Sequence, residues 1–482
     1  MINVNGLVPF WNDYIIDTRL TNATVSANKP ERRDTVMVCD KPWEGNGTDY
    51  FTIIKDDGFY RMYYEAWGLN DKPLQIRVCY AESRDGIHWE KPELGIVEYN
   101  GSKKNNIIID KIPDNFTVMK DPNPDAPPEM KYKALSSVRE IDYIDGNKRN
   151  MLALLVSSDG IHFERHSIIS RGYAYDTQNS LHWNRHTGKY YCYIRAFRKA
   201  PNIPESQFEE TSIRVNMVIE SSDLINWSAA RYLNYNGEYY PLYTNCVMSY
   251  PYDDRYFVGF PSRYVQRREW TKNYDRLGGA EKRKERMEIE PRLGLAVTDC
   301  VFMSSRDNVN WYRFDEAIIT PGIEDGENWI YGDCYPALGG LIETPSPFKN
   351  VPNELSLLVP SHHWMDSPIE LVRYVYRRDG MASVKATYDE RKLVTKPFTF
   401  EGDILKLNFA TSARGGIYLR ILDEYNLPIE GYSTCELFGN SVERVIDFDK
   451  PLSELNGKIV RFEFTMRDAE IFSMTFDARC EI

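Results

Sequence analysis

Six acidic residues stand just ahead of stretches that read as strands: Glu44, Asp49, Asp114, Asp176, Glu238 and Asp333. Far apart along the chain, they can act together only if the fold gathers them. Cleavage of a glycosidic bond needs two carboxyl groups in distinct states. One is protonated and assists departure of the sugar oxygen; the other is ionised and serves as base or nucleophile. Hydrogen bonds and stacking faces for a polyhydroxylated ligand could come from Trp43, Asn179, Arg195, Tyr243, Asn245, Arg263, Trp329, Glu343 and His362.

The elements that would gather these groups are announced by a recurring cassette. It reads Ser83-Arg84-Asp85-Gly86-Ile87-His88-Trp89, Ser158-Asp159-Gly160-Ile161-His162-Phe163, Ser222-Asp223-Leu224-Ile225-Asn226-Trp227 and Ser305-Arg306-Asp307-Asn308-Val309-Asn310-Trp311, with a degenerate Arg378-Asp379-Gly380 last. The aspartates lie 74, 64, 84 and 72 residues apart, the span of a four-stranded sheet with its loops. Five such sheets make a five-bladed β-propeller. Each Asp can turn its carboxylate onto the following amides while Gly or Asn beside it accepts a positive φ, so the unit is a hairpin turn and its aspartates are structural. Trp89, Phe163, Trp227 and Trp311 are expected to be buried between blades, and His88 and His162 to lie at the surface.

Strand-like runs precede each cassette, at 50–54, 59–64 and 76–80 for the first blade, 116–119, 132–135 and 151–156 for the second, and 180–183, 190–194 and 215–219 for the third. The fourth is expected at 245–248, 256–260 and 296–303, and the fifth near 337–342, 355–359 and 371–375. A charged run from Arg267 to Arg292 interrupts the fourth; it reads as a solvated insertion with a short helix at 281–286, a substrate lid being the sharper alternative. From about Lys385 the rhythm gives way to alternating strands such as 405–409 and 417–421, which read as a β-sandwich. The expected division is a propeller over 1–384 and a sandwich over 385–482, an all-β chain.

Composition agrees. Tyr 33, Phe 21 and Trp 10 supply strand formers, and Pro 26 with Gly 29 supply turns. A net charge of -12 and a pI near 5.3 argue against nucleic acid and anionic membrane as partners; a neutral or polyhydroxylated small substrate, such as a carbohydrate, fits better. The longest aliphatic run, Met151 to Val156, is far too short to cross a bilayer. The first residues lack a basic and then apolar start, so the chain is expected to be cytoplasmic, or secreted or periplasmic if a leader was removed. Eight cysteines are scattered singly without a CxxC pair, so neither a disulfide frame nor a metal site is expected, and no cofactor is implied.

The cassette Ser221-x-Asp223-Leu224-x-x-Trp227, with the strands around it and the C-terminal sandwich, resembles glycoside hydrolase families 32 and 43, the five-bladed furanosidases. Gly47-Thr48-Asp49-Tyr50 sits where family 32 carries its nucleophilic Asp, although the Asn-Asp-Pro-Asn-Gly motif is absent. Tyr175-Asp176-Thr177-Gln178-Asn179 resembles the element whose Asp binds sugar hydroxyls near the transition state. Where the family places its acid Glu, this chain reads Tyr243-Thr244-Asn245-Cys246, with no carboxylate in register. Over nearly its full length the chain is similar to a broad group of bacterial family 32-like proteins, through Lys41-Pro42-Trp43-Glu44, Phe260-Pro261-Ser262-Arg263-Tyr264, Thr298-Asp299 and Thr395-Lys396-Pro397. The resemblance implies hydrolysis of a glycosidic bond of a furanoside-type or other plant or microbial oligosaccharide. Two other readings are a glycoside phosphorylase, with Arg195, Arg263 and His362 holding phosphate, and a carbohydrate-binding propeller without catalysis.

Overall fold

Aromatic and β-branched runs ended by Gly, Asn or Asp fold here as short antiparallel strands, because the side chains fill a pleated surface and the terminal residues accept the turn. The computed structural model describes residues 1–69, 71, 74–110, 114–142, 144, 146–199 and 212–478. Two compact units divide the chain: Glu31–Pro345 with Leu355–Val375, and Met1–Pro30 with Ser346–Glu354 and Tyr376–Ile482.

The first unit is a five-bladed propeller. Blade one runs from the axis outward through Asp49–Asp56, Phe59–Ala66, Arg77–Ser83 and Ile107–Ile109, and blade two through Asp114–Lys120, Tyr132–Ile141, Lys148–Ser157 and Glu164–Arg171. Blade three follows as Ser180–Asn184, Lys189–Lys199, Ser212–Ser221 and Arg231–Tyr232. In blade four Val247–Ser249, Phe257–Gly259, Met303–Ser305 and Asn310–Arg313 are extended by Asn234–Tyr235. Blade five contains Ile342–Thr344, Glu354–Ser361 and Ile369–Tyr376, and its fourth strand is Glu31–Cys39 from the other end of the chain, antiparallel to the third. Thr52, Val118, Leu181, Val247 and Ile342, one from each inner strand, line a common axial cavity of about 560 Å³. Blades one and five join near the axis, where Ile53 N donates to Leu338 O at 2.7 Å and Leu338 N to Phe51 O at 2.8 Å. Gly339 permits that approach, since a Cβ there would stand 2.2 Å from Ile53 O.

Four cassettes form the same turn between the third and fourth strands of blades one to four. Asp85 Oδ1 accepts from Ile87 N and His88 N at 2.9 and 2.8 Å, and Ser83 Oγ accepts from Gly86 N at 2.9 Å. The bonds repeat around Asp159, Asp223 and Asp307. The N–H of Asn226, foremost among these donors, holds the Asp223 carboxyl well below the usual range. His88 and His162 are exposed and close the turn by meeting the second carboxylate oxygen, at 2.7 and 2.8 Å. Of the four aromatics only Trp311 is fully buried; Trp89, Phe163 and Trp227 are half-buried. They still wedge against the preceding blade, Phe163 with its ring 6.2 Å from Tyr63 and Trp311 5.9 Å from Tyr193.

The fifth cassette departs from expectation. Asp379 belongs to the other unit, where its Oδ2 accepts from Ser473 Oγ at 2.6 Å. Blade five takes its outer strand from the N-terminal side, so no hairpin is needed after Ile369–Tyr376. In blade four the expected return strand also differs. Ala296–Cys300 pairs with Ser262–Gln266 in a separate hairpin, and Met303–Ser305 takes its place in the blade. Between those hairpin strands lie helices Ala280–Ile289 and Pro291–Leu295. Arg283 and Arg286 on the first helix are buried, Arg283 donating to Asn328 O at 2.9 Å, so the insertion is not merely a solvated face.

The second unit is the β-sandwich, and it is not confined to 385–482. Ile2–Pro9 runs parallel to Phe398–Glu401 and antiparallel to Arg461–Asp477, so the first thirty residues belong with the C-terminal strands. Ile404–Leu422 is one long strand whose register shifts between Thr411 and Gly416 let both halves pair with Arg461–Asp477. Phe398, Phe400, Leu405, Phe462, Phe464 and Phe476 form the centre of its core. Among the described residues no helix is long and apolar enough to cross a membrane. Six cysteines are buried and Cys435 is exposed, all free; Cys480 lies outside the described residues.

Candidate active site

A local backbone device recurs where four of the blades begin. Asp49 is followed by Tyr50 at φ 49°, Asp114 by Asn115 at φ 59°, Asn245 by Cys246 at φ 41° and Asp333 by Cys334 at φ 62°. Non-glycine residues in this left-handed region are uncommon and cluster where a site demands them. In blades one and two a register shift follows at once, between Asp49 and Thr52 and between Asp114 and Thr117. A bulge of this kind re-aims the side chain beside it.

The result is a convergence of four carboxyl groups, Asp49 and Glu65 from blade one, Asp114 from blade two and Asp176 from the segment entering blade three. Burial pushes Glu65 well above the usual carboxyl range, and the charges of Asp114, Asp49 and Asp176 push it further, against the N–H of Phe116, which donates to Glu65 Oε1 at 2.6 Å. Burial likewise raises Asp49, against the Trp67 indole and with the help of Asp114 and Asp176. Asp114 is pushed up to about 6 by burial and by Asp176. Asp176 is exposed, with 70% of its side chain accessible, and receives a bond from Arg195 Nη2 at 3.3 Å. Asp49 Oδ1 is buried and has no hydrogen-bond partner among the described residues.

Facing the carboxyl groups is a wall of tyrosines. Tyr50 and Tyr243 share a hydroxyl contact of 3.1 Å, and the Tyr243 ring stacks on Tyr335 at 5.4 Å and on Tyr264 at 6.0 Å. Tyr331 stands edge-on to Tyr243 at 5.8 Å, and Trp364 and Trp67 extend the wall. The Arg195 guanidinium lies 5.0 Å over Tyr243. Such a surface offers flat apolar faces and phenol hydroxyls together, as recognition of a sugar ring requires.

The structure therefore brings together Asp49, Asp176, Arg195 and Tyr243 of the residues singled out by sequence, with Asp114. It places the others elsewhere. Glu44 is fully buried inside blade one, 2.7 Å from Lys91 Nζ and accepting from Tyr64 Oη at 2.7 Å, and is a structural ion pair. Trp43 donates to Asn106 Oδ1 at 2.8 Å and packs with Tyr99 on that blade. Glu238 is exposed, its carbonyl accepting from Arg313 at 2.6 Å. Arg263 is paired with Asp299 and donates to Asp315 O at 2.8 Å. Trp329 donates to Gly322 O at 2.9 Å. Glu343 accepts from Tyr252 at 2.7 Å and lines the axial cavity. Asn179 and Asn245 are buried and bind backbone, Asn179 donating to Tyr175 O at 2.9 Å and Asn245 to Gln178 O at 3.0 Å.

Asp333 is buried apart from the four, accepting from His363 N at 3.0 Å, and burial pushes it up to about 7. His362 Nε2 lies 3.7 Å from Asp325. Glu65 was missed by sequence reasoning. Its one signal is a carboxylate directly after the aromatic pair Tyr63-Tyr64 in the strand Phe59–Ala66, where, buried and unpaired, it would be costly without a purpose. Among the described residues no group of three His, Cys, Asp or Glu is arranged to hold a metal ion.

No protein-family model matches the chain. Over 56 residues, 11% of its length, it is 39% identical to an uncharacterised protein of Mycobacterium tuberculosis; the match covers 19% of that protein, so the chain spans about a fifth of the length of the curated relatives it matches. Among solved structures it is similar to a glycoside hydrolase family 43 arabinoxylan arabinofuranohydrolase from Bacillus subtilis in complex with cellotetraose, at 11% identity over 96% of this chain and 100% of that one, with a TM-score of 0.39. It is similar to sucrose-6-phosphate hydrolase from Lactobacillus gasseri at 10% identity, over 94% of this chain and 93% of that one, with a TM-score of 0.38. An N-acetylgalactosamine deacetylase from F. plautii in complex with blood group B trisaccharide is 13% identical over 77% of this chain and 94% of its own, with a TM-score of 0.42.

Proposed function

We propose that the protein is a glycoside hydrolase whose active site is the cluster of Asp49, Glu65, Asp114 and Asp176. The observation that carries this reading is the convergence of carboxyl groups from three blades, three with raised pKa values and one exposed, opposite a tyrosine wall. Acid-assisted cleavage of an acetal needs a carboxyl that still holds its proton near neutrality and a second that does not share its environment.

Asp114, titrating near 6, is the proton donor to the departing sugar oxygen. Asp176, exposed and oriented by Arg195, acts at the anomeric carbon, through water or by direct attack. Asp49 and Glu65 hold the substrate's hydroxyls, for which the unpartnered Asp49 Oδ1 is an acceptor.

The test is release of reducing sugar from a panel of aryl glycosides and plant and microbial oligosaccharides, with Asp114→Asn and Asp176→Asn as controls. Hydrolysis by the wild type and loss in both variants is the expected result. Either variant cleaving at the wild-type rate, or sugar bound and never cleaved, would overturn the reading. The anomer first released tells whether Asp176 activates water or attacks directly. A phosphorylase finds less support, since Arg263 and His362 stand outside the cluster, paired with Asp299 and Asp325.

A further inference from the structure

Two arginines in the site are built into the tyrosine wall, and among the described residues only one has an acidic partner. Arg195 and Arg214 lie on the adjacent antiparallel strands of blade three, where Arg195 opposes Asn216 and Phe197 opposes Arg214. Both guanidinium groups lie 5.6 Å from the Phe197 ring and within reach of Tyr243, at 5.0 and 5.9 Å, so they share one face of the sheet. Arg214 continues across the wall to stand 4.2 Å over Tyr264. Arg195 is 3% exposed and bonds Asp176. Among the described residues its Nη1 has no partner, the buried Nε of Arg214 has none either, and Arg214 has no ion pair. A third cation, Arg292, is 6.0 Å over Tyr331.

Desolvated guanidinium donors left open are costly unless something completes them. An aromatic face accounts for the planar surface of the guanidinium but leaves its edge, where the N–H groups point, unsatisfied. We infer that Arg195 and Arg214 receive an anionic substituent on the sugar, a uronate carboxylate or a sulfate or phosphate ester, whose oxygens match the guanidinium fork. The inference rests on reading the carboxyl cluster as a glycosidase site and adds the class of its substrate.

The experiment uses matched oligosaccharides containing galacturonate, glucuronate, 6-sulfated or 6-phosphorylated sugar, each beside its neutral counterpart. Affinity is measured by calorimetry at low and high salt, and cleavage by product release. At least one acidic member is expected to bind about tenfold more tightly than its counterpart, an advantage that shrinks with salt. Which member it is separates carboxylate from sulfate and phosphate. Arg214→Gln should abolish the advantage of the acidic member over its neutral counterpart, and Arg214→Lys should retain part of it. Equal or tighter binding of every neutral member, or no binding by any, overturns the inference. Acidic sugars that bind and are never cleaved leave it standing and overturn the hydrolase reading, whereas cleavage of neutral members alone does the reverse.

Discussion

Asp49 and Glu65 stand directly opposite one another on the first two strands of blade one, both buried. Like charges in such a pair destabilise a sheet, and both groups are raised chiefly by burial. A carboxyl whose folded-state pKa is raised favours folding below its unfolded value near 4, and that contribution is lost as pH rises through the folded value. Glu65→Gln, which can still accept from Phe116 N, should therefore leave stability at pH 5 nearly unchanged and raise the melting temperature by a few degrees at pH 9. Thermal unfolding across that range checks it; an equal shift at both pH values would show that the pair carries no such penalty.

Asp114, pushed up to about 6, sets the proton supply. Turnover should decline as pH rises past that value, and Asp114→Asn should lower the rate by about 10²- to 10⁴-fold while removing this limb of the profile. Rate measurements from pH 4 to 9 decide the matter.

Asp176→Asn keeps size and the bond from Arg195 while removing a charge that is exposed. Turnover is expected to fall by orders of magnitude with little change in melting temperature. A variant as active as the wild type would exclude Asp176 from the chemistry.

Glu44 and Asp159 should behave in the opposite way. Glu44→Ala leaves Lys91 and Tyr64 without their buried acceptor and should cost about 3 kcal/mol. Asp159→Ala opens one cassette turn and should cost about 1–2 kcal/mol. Urea unfolding reads the loss, and KM should stay at the wild-type value for any substrate the protein cleaves.

Truncation after residue 384 removes the partners of Ile2–Pro9 and exposes its edge. That fragment should aggregate, while a chain spanning 31–375 should stay monomeric in sedimentation. Equal behaviour of the two would contradict the division of the units.

The repeat was legible because each cassette makes its turn from its own few residues, and the inner strands because aromatic runs and turn residues are local. Asp49, Asp114 and Asp176 could be singled out since each immediately precedes such a strand. Glu44 answered the same description, but its partner Lys91 is forty-seven positions away and meets it only in the folded blade. Arg378-Asp379-Gly380 keeps the letters of the turn without its geometry, because strand pairing across the whole chain removes the need for it. Asn245 occupies in blade four the backbone position that Asp49 and Asp114 hold in theirs, so the gap in acidic residues there is an amide, read correctly from sequence only as a missing carboxylate.

The N-terminal origin of the outer strand in blade five bears on how the protein is made. Glu31–Cys39 is made before every other strand of the propeller, and its partner Ile369–Tyr376 is the last of them to be synthesised. Throughout translation the ring is open, and a strand with unpaired backbone groups waits for it to close. Completion is therefore a single late event of high contact order, on which the alignment of every blade depends. A nascent chain that stalls just before that strand carries all four carboxyl groups of the cluster and no closed ring to hold them.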